Sequence, residues 1–393
     1  MTATSMRHDN LRTSQWLSLC TAIAVTGCIG GIDYDDEDTA DPTQQNIQQY
    51  EQLRMSLEQK RELVLPADAV DDVRAAGPWL TWLDLSQGFS GVLHARRGAG
   101  GDEVVSEVPI GDDGTPPNYE ISEELAMTAV TVGGDAVYTV LRLGTGTALD
   151  QVTMTKPDAA KYDAYGVFSG QAYIVVEAED LAIYEWTPGT DAPTQIASFG
   201  EAGTNFGAWL GFVVAEDMAG TRRLVGVGTL GTHSMDLATK QVTQVPLPIV
   251  LQEGAINEHG IAAIDGRDIW WYDWGAAEAR AIHDELALSG YLLNSTYAMA
   301  HLVGSGFASQ DIAIDGTTIY YRSNSGIYAY DVASKQVTPV LLDDLNYSGS
   351  GDGPGGFITY TGLAAGDGAL VMLGLESTNG ATGYDGPTYR VGL

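Results

Sequence analysis

Cysteine and basic side chains are both scarce in this 393-residue chain. It has 2 Cys, and 19 Lys and Arg against 52 Asp and Glu, so the formal net charge is −33. Cys20 and Cys28 both lie near the N-terminus, which leaves the rest of the chain without a disulfide framework. Phosphate recognition needs clustered Lys and Arg. The composition therefore argues against nucleic acid as a partner, and against electrostatic docking on anionic lipid.

A long apolar run near the N-terminus is also missing. The run at residues 16–26 is eleven residues long, whereas a membrane-spanning helix needs about 20. A basic start at Arg7 and Arg12, a short apolar run and small residues after it are typical of an export signal. We therefore predict that residues 1–27 are a signal peptide.

The residues Val25-Thr26-Gly27-Cys28 resemble the lipobox of bacterial lipoproteins, in which an aliphatic and two small residues precede the modified cysteine. Val replaces the commoner Leu, and Thr the commoner Ala or Ser. The resemblance implies that Cys28 becomes the lipidated first residue of an exported chain and anchors it to the membrane. Ile29 stands where an Asp marks inner-membrane retention in enteric bacteria, which favours the outer membrane. A plain secretory signal is the alternative.

Residues 28–41 are acidic and without apolar periodicity, so we predict a solvated, disordered tether. The five acidic side chains within residues 33–38 raise the question of calcium. An EF-hand loop needs Gly at its sixth position and Glu at its twelfth, where this chain has Asp38 and Gln44. Calcium is therefore kept as a minor alternative, and no other cofactor is predicted.

One amphipathic helix is predicted over residues 42–61. Asp41 can cap it, and Pro42 suits its first position. Apolar residues recur at steps of three or four and give one stripe, formed by Ile47, Tyr50, Leu53 and Leu57. We expect the stripe to pack on the main domain rather than in a coiled coil, because so few turns are marginal alone. Residues 62–78 are the predicted connector.

From Trp79 onward the apolar period is two, and short strands alternate with turn signals. One phrase, typified by IWWYD and IYAYD, recurs in a single phase. Its copies lie at 183–186, 232–236, 269–273 and 327–331. A second phrase follows two of them, DLATKQVT from Asp236 and DVASKQVT from Asp331, and a shorter QVT begins at Gln151. Repetition at this spacing indicates repeated structural units.

A rival alignment matches AIDGRDIWW at 263–271 with AIDGTTIYY at 313–321, with a shift of 50 instead of 58. The two alignments cannot both join equivalent strands. The longer phrase recurs in four units and continues through a turn into another strand, so we follow it. It predicts that the two AIDG stretches are strand–turn–strand segments at different turns of their units.

Units of this length with about four strands each are the signature of a β-propeller. We predict an all-β propeller over residues 79–393 with about seven four-stranded blades, although six or eight also fit. Closing strands are assigned at 108–110, 152–154, 196–199, 245–247, 279–282, 340–342 and 389–391, and the first unit at 79–111. A pair of two-sheet sandwiches would explain the strands but not the repeated phrases.

The units are similar to those of TolB-like and related bacterial propellers, in which a strand, a D-x-x-x-x-x-V-T turn and another strand follow one another. The resemblance extends over residues 79–393. It implies a scaffold that binds proteins or ligands at the mouth of the ring. The motif records turn chemistry rather than catalysis, so it does not specify an activity.

The sequence shows no catalytic set. Its histidines are not at metal-ligand spacing, it has no G-x-S-x-G nucleophile motif, and no metal site is predicted. The glycine-rich stretch 349–356 lacks the Lys-Ser/Thr ending of a phosphate loop and is predicted to connect blades. Asp236, Asp273 and Asp331 end strands, where Asp accepts hydrogen bonds from its own turn. A calcium-bearing channel is the alternative for these residues.

The segment WWYDW contains the most prominent aromatic cluster. Trp270, Trp271 and Trp274 are candidate binding residues, because aromatic rings stack on sugars and anchor partner proteins. Both faces of a propeller strand are covered by neighbouring blades, which favours the alternative that these rings fill the space between blades.

The sequence thus predicts a general kind of role and not a specific activity. The first hypothesis is a lipid-anchored scaffold in the bacterial cell envelope that binds an envelope protein or a glycan, on the periplasmic or surface side. The second is a propeller enzyme for glycans, lactones or esters, with carboxylates in the central channel. A purely structural envelope protein is the third.

Overall fold

The computed structural model describes residues 42–392, apart from several internal segments. Those segments are 66–70, 85–90, 99–100, 102, 109, 113–116, 123, 156–160, 169, 178–180, 191, 199–208, 229, 248–252, 266–267, 283–300, 305–311, 324–325, 343–356, 367, 379–380 and 383–387. The predicted signal peptide with Val25, Thr26 and Gly27, the lipidation site Cys28 and the tether lie outside the described residues.

The described chain begins with helix α1 (Pro42–Glu58) and strand β1 (Arg61–Leu65). Pro42 opens the helix, where its missing N–H is no loss. The helix ends as the N–H groups of Gln59 and Lys60 bond back to carbonyls of the last turn. Within the described residues, no helix combines the length and hydropathy that a membrane span requires.

Three antiparallel sheets follow, each made from one continuous stretch of chain. Sheet 1 contains β2 (Asp71–Ala76), β3 (Trp79–Asp84), β4 (Gly91–Arg97) and β5 (Glu103–Val108). Sheet 2 contains β6 (Asn118–Ile121), β7 (Leu125–Val132), β8 (Asp135–Arg142) and β9 (Thr147–Met154). Sheet 3 contains β10 (Lys161–Phe168), β11 (Gln171–Glu177), β12 (Leu181–Trp186) and β13 (Thr194–Ser198).

Three further sheets repeat this plan. Sheet 4 contains β14 (Trp209–Glu216), β15 (Arg222–Gly228), β16 (Gly231–Asp236) and β17 (Val242–Val245). Sheet 5 contains β18 (Glu253–Ile256), β19 (Gly260–Asp265), β20 (Asp268–Asp273) and β21 (Arg280–Ala281), and β22 (His301–Gly304) adds a parallel strand beside β18. Sheet 6 contains β23 (Ile312–Asp315), β24 (Thr318–Ser323), β25 (Gly326–Asp331) and β26 (Gln336–Leu342).

Sheet 7 is built from both ends of the chain. Its strands are β27 (Phe357–Gly366), β28 (Ala369–Thr378), the short β29 (Ala381–Thr382) and β30 (Thr388–Gly392). β1 pairs antiparallel with β30 and is the outermost strand of this sheet. The N-terminal strand therefore covers an edge that β30 would otherwise leave open.

The sheets are arranged around a closed ring. Near the axis, β2 lies against β6, β10 lies against β6 and β14, and β14 lies against β22. The circle continues from β18 to β23, from β23 to β27 and from β27 back to β2. The predicted all-β propeller with four-stranded blades is confirmed, and the pair of two-sheet sandwiches is excluded.

The repeated phrases occupy equivalent strands. All four copies of the first phrase lie in the third strand of a sheet, namely in β12, β16, β20 and β25, and the QVT strings lie in fourth strands. One AIDG stretch joins the second and third strands of sheet 5, whereas the other joins the first and second strands of sheet 6. The choice of the longer phrase over the rival alignment is confirmed.

The structure differs from the sequence expectation at the two chain ends. Segment 62–78, treated above as a connector, holds most of β1 and all of β2, so sheet 1 begins before Trp79. The predicted closing strand at 389–391 lies in β30, and it is β1 that forms the outer edge of that sheet. Pairing between chain ends leaves no local pattern, so the periodicity could not show it.

Helix α1 packs against the outer part of sheet 6, as the apolar stripe predicts. Tyr50 and Leu57 are buried in the cluster that unites sheets 5, 6 and 7, and Leu53 packs on it. On the open side, the Arg54 guanidinium lies 2.9 Å from the Glu51 carboxylate and 3.0 Å from that of Glu58. Ion pairs at this helical spacing contribute about 0.3–0.5 kcal/mol each, so apolar burial is what holds the helix in place.

Candidate functional site

The two mouths of the ring differ in the connections they carry. Antiparallel strands place every first-to-second and third-to-fourth turn at one mouth, which we call the short-turn mouth. The other mouth carries the connections from one sheet to the next, apart from the one after the parallel strand β22, and we call it the long-connection mouth. Its longest sheet-to-sheet connections are residues 199–208 and 343–356, and residues 282–300 join β21 to β22 within sheet 5. Insertions in repeat proteins collect on one face, which is often the binding face.

The short-turn mouth is fixed by a repeated backbone hydrogen bond. In five sheets, the N–H just beyond the third strand donates to a carbonyl at the start of the second strand. The pairs are Gly98 to Pro78, Leu143 to Glu124, Leu237 to Arg222, Trp274 to His259 and Val332 to Thr317, at 2.8–3.2 Å. Such satisfied turns leave little backbone free to reorganise around a ligand.

Neighbouring sheets are also bonded to each other at the short-turn mouth. The buried Asn257 donates from Nδ2 to the Gly316 carbonyl at 2.7 Å, and its Oδ1 accepts from the N–H groups of His259 and Gly260. The Met218 N–H donates to the Glu258 carbonyl at 3.0 Å. Sheets 4, 5 and 6 are thus joined through their turns.

Two of the three aspartates of the repeated phrase accept hydrogen bonds from their own turns, as predicted. Asp236 Oδ1 accepts from the N–H groups of Ala238 and Thr239, both at 2.8 Å, and these bonds lower the Asp236 pKa. Asp331 Oδ1 accepts from the Ser334 N–H at 2.6 Å, and hydrogen bonds from Ser334 lower the Asp331 pKa. Asp236 and Asp331 carry turn chemistry, which accounts for their recurrence.

Asp273, at the same place in sheet 5, has a different partner. Its Oδ1 accepts from Nε1 of Trp271 at 2.8 Å. Trp271 is 1% exposed and belongs to the cluster between sheets 5 and 6. The phrase therefore places a carboxylate at a fixed point and lets each unit use it differently.

The other two candidate aromatics pack on the opposite face of sheet 5. Trp270 and Trp274 lie half-buried against the cluster between sheets 4 and 5. Trp274 Nε1 donates to the Asn257 carbonyl at 2.8 Å, its ring meets Tyr272 edge-on, and the Arg223 guanidinium lies 5.7 Å from its centroid. The structure places Trp270, Trp271 and Trp274 between blades, and their role as binding residues stays a prediction.

A histidine between two carboxylates lies on the face of sheet 1 turned away from sheet 2. His94 Nδ1 is 2.6 Å from a Glu103 oxygen, and its Nε2 is 3.9 Å from Asp84 Oδ2. The ring stacks on the buried Trp82, with centroids 5.0 Å apart. A histidine held between carboxylates is only one part of a catalytic set. The enzyme hypothesis therefore stays a prediction.

A cavity of about 330 Å³ lies where α1, sheet 6 and β30 meet. Its apolar wall includes Leu57, Val340 and Val391, and hydroxyl, amide and carboxylate groups of sheet 6 form the other wall. Burial, and next the Asp315 carboxylate, raise the pKa of Tyr320 in this wall to about 12. The phenol is neutral at any physiological pH and acts as a hydrogen-bonding group.

Among the described residues, no three His, Cys, Asp or Glu side chains converge as a metal site. Calcium at the predicted tether lies outside the described residues and stays untested. The sequence does not predict the cavity, because its walls come from residues 57–60, 318–340 and 391–392, which no local pattern connects. The only sign of the cavity in the sequence is that Ala329 stands in the repeated phrase where the preceding copy has Trp271.

No protein-family model matches the chain, and no curated protein matches it. Similar solved structures include BBS1N in complex with ARL6DN, with 12% identity over 85% of this chain and 95% of that one, at a TM-score of 0.46. The β-propeller domain of the Trilobed protease from Pyrococcus furiosus shows 10% identity over 83% of this chain and 95% of its own, also at 0.46. A prolyl endopeptidase shows 12% identity over 99% of this chain and 56% of its own, at 0.48.

Likenesses this distant concern the fold alone. The propeller assignment rests on the strand pairing and ring contacts described above. The resemblances to TolB-like propellers and to bacterial lipoproteins stay predictions.

Proposed function

We propose that this protein is a binding scaffold of the bacterial envelope, a propeller whose seven sheets act as seven blades, anchored through a lipid on Cys28. Its partner is an envelope protein or a glycan, which binds at the long-connection mouth. The membrane anchor rests on the lipobox resemblance of Val25-Thr26-Gly27-Cys28.

The asymmetry of the two mouths carries the proposal. The short-turn mouth is bonded within and between sheets, through the repeated backbone bonds and through Asn257 and Met218. The opposite mouth carries the sheet-to-sheet connections, except the one that follows the parallel strand β22, and these connections differ in length from sheet to sheet. A rigid array that varies on one face presents that face for recognition.

The net charge of the chain restricts the kind of partner that we expect. A formal net charge of −33 repels acidic surfaces, attracts basic ones and leaves neutral ones unaffected. We therefore expect a neutral glycan or a protein with a basic patch.

The test is crosslinked affinity purification of the full chain from its own envelope, with two matched variants. Leu230 and Met218 are exposed apolar residues on turns of sheet 4 at opposite mouths, Leu230 at the long-connection mouth, and they are 53% and 70% exposed. We expect Leu230→Arg to reduce recovery of the partner at least about tenfold, because a charged side chain at an interface must be desolvated. Met218→Arg should leave recovery unchanged.

Loss of the partner with Met218→Arg but not with Leu230→Arg would reverse the assignment of the mouths. Equal recovery of the partner with both variants would contradict binding at the long-connection mouth. A Cys28→Ala chain tests the anchor separately, since it should leave the membrane fraction while its purified propeller still binds the recovered partner.

A further inference from the structure

The cavity under α1 occupies a place that a side chain fills in the preceding sheet. The phrases IWWYD of sheet 5 and IYAYD of sheet 6 place Ala329 where Trp271 stands. Strand pairing supports this match. Trp271 is paired with Ala262 and Arg280 across β19–β21, and Ala329 with Tyr320 and Thr338 across β24–β26.

Both positions face the following sheet. In sheet 5, the neighbouring residues Ile261, Ala263 and Tyr272 pack toward sheet 4, so Trp271 points the other way, toward sheet 6. By the same alternation, Ala329 points toward sheet 7 and α1, and it lines the cavity. The cavity of sheet 6 therefore lies at the place that the indole ring of Trp271 fills in sheet 5.

The bulk lost at Ala329 is only partly replaced. Tyr320 stands where sheet 5 has Ala262, so a ring has moved from the third strand to the second. The space over the third and fourth strands stays open, bounded by Asp331, Thr338 and Val340. Sheet 6 thus has the repeated phrase, but an unfilled space remains beside its outer strand β26.

The polar partner of the indole is still present. In sheet 5, the Trp271 N–H donates to Asp273 at 2.8 Å. Asp331 occupies the same place in sheet 6 and lines the cavity, and its carboxylate accepts from the N–H groups of Ser334 and Ala333 and from the side chains of Ser334 and Thr317. An N–H donor in the cavity has to replace one of these bonds, and the hydroxyl of the exposed Ser334 can instead bond to water.

We infer that this cavity binds a small planar aromatic molecule with an N–H donor, whose ring lies against Leu57, Val340 and Val391 while the N–H donates to Asp331. A volume of about 330 Å³ suits such a ligand. The site lies at the outer junction of sheets 6 and 7, apart from the mouth proposed for the partner, so the two proposals stand or fall separately.

The experiment is isothermal titration calorimetry of the full Cys28→Ala chain with indole, beside benzofuran, which has the same shape but no N–H. We expect saturable 1:1 binding of indole, and binding of benzofuran weaker by about tenfold, because a hydrogen bond to a charged acceptor is lost. Asp331→Asn, which keeps the turn-forming side chain, should weaken indole by a similar factor and leave benzofuran unchanged.

Ala329→Trp should abolish indole binding by filling the cavity from within. Met218→Trp, which adds the same side chain at an exposed turn, is the matched control and should bind indole like the wild type. If Ala329→Trp fails to fold, Ala329→Leu offers a smaller obstruction and should weaken indole at least about fivefold. Absence of binding by the wild type, or binding that persists in a folded Ala329→Trp chain, would overturn the inference.

The ring could also come from a tryptophan side chain, so the peptide Gly-Trp-Gly forms a further arm. We expect it to bind at least about tenfold more weakly than indole, because its polar backbone groups would have to be desolvated against Leu57, Val340 and Val391. If the peptide bound more tightly than indole, the ligand would be a tryptophan side chain of a partner and not a free small molecule, and the inference would be overturned.

Discussion

Sheet 7 takes its place in the ring by a different route from sheets 1–6. Each of the first six is made from one continuous stretch of chain, whereas sheet 7 joins residues 61–65 to residues 388–392. Local pairing closes a short loop, while this pairing closes nearly the whole chain, and loop-closure entropy rises with the length enclosed. The ring therefore depends on one non-local junction, which we call the seam: β1, β30 and the helix α1 that packs beside them.

Removing the seam should have the largest effect. A chain that begins at Asp71 lacks α1 and β1, and loses the burial of Tyr50 and Leu57 together with the pairing to β30. We expect a loss of roughly 5 kcal/mol or more in the free energy of unfolding. Urea denaturation followed by circular dichroism measures it. A chain that begins at Pro42 is the control and should match the full propeller; equal stability of both would show that the seam is dispensable.

Trp271→Ala tests a junction between two continuous sheets. The buried indole and its bond to Asp273 are lost together, so we expect a destabilisation of about 3–5 kcal/mol. Leu57→Ala at the seam should cost less, about 2–3 kcal/mol, because its side chain already borders a cavity. Chemical denaturation of both variants compares the two junctions. A larger cost for Leu57→Ala would contradict the ranking.

Acid should weaken the continuous sheet 4 in two steps. Burial lowers the pKa of His233 below 6.5, so the folded state binds fewer protons there than the unfolded chain, and stability falls as pH drops below about 6.5. Burial acts to raise the pKa of Asp217, but hydrogen bonds from Thr221, Arg223 and Ala219 outweigh it and leave the pKa lowered. The lowered pKa values of Asp217 and Asp236 give stability that is present above about 3.8 and lost as pH falls through their folded values.

Urea midpoints measured from pH 8 to pH 3 test this order. His233→Gln should flatten the upper step, and Asp236→Asn the lower one. An upper step that persists unchanged in His233→Gln would assign it to another group.

The smallest effect is expected at the turn between the third and fourth strands, which has the same form in sheets 4 and 6. Lys240 and Lys335 have φ of 61° and 59°, in the left-handed region that favours glycine. Replacing either by Gly relieves about 1–2 kcal/mol of backbone strain but adds chain entropy to the unfolded state, for a net gain of roughly 0.5 kcal/mol. Thermal denaturation should show equal gains in sheet 4 and in sheet 6 beside the seam. Loss of stability in both would mean that the lysine side chains contribute more than the strain costs.

Local features were readable from the sequence because their causes are local. The repeated phrase, and the Gln-Val-Thr that follows two of its copies, reflect the chemistry of a strand and its turn, so they marked equivalent positions in successive units, which the structure places in third and fourth strands. The stripe of Tyr50, Leu53 and Leu57 likewise predicted a packed helix. In contrast, β1 reads RELVL, five residues without a repeat partner. Its role as the outer strand of sheet 7 follows only from its pairing with β30.

The sequence by itself determined the all-β class, the register of the repeated units and the single helix of the described chain, because strand period, turn residues and apolar spacing act over a few residues. Only the tertiary structure decided how the ring closes, which mouth carries the long connections, and that the exchange of Trp271 for Ala329 leaves a cavity beneath α1. These depend on contacts between residues hundreds of positions apart, such as Arg61 with Val391. Such contacts form only when the whole ring has assembled, and chain connectivity alone gives no sign of them.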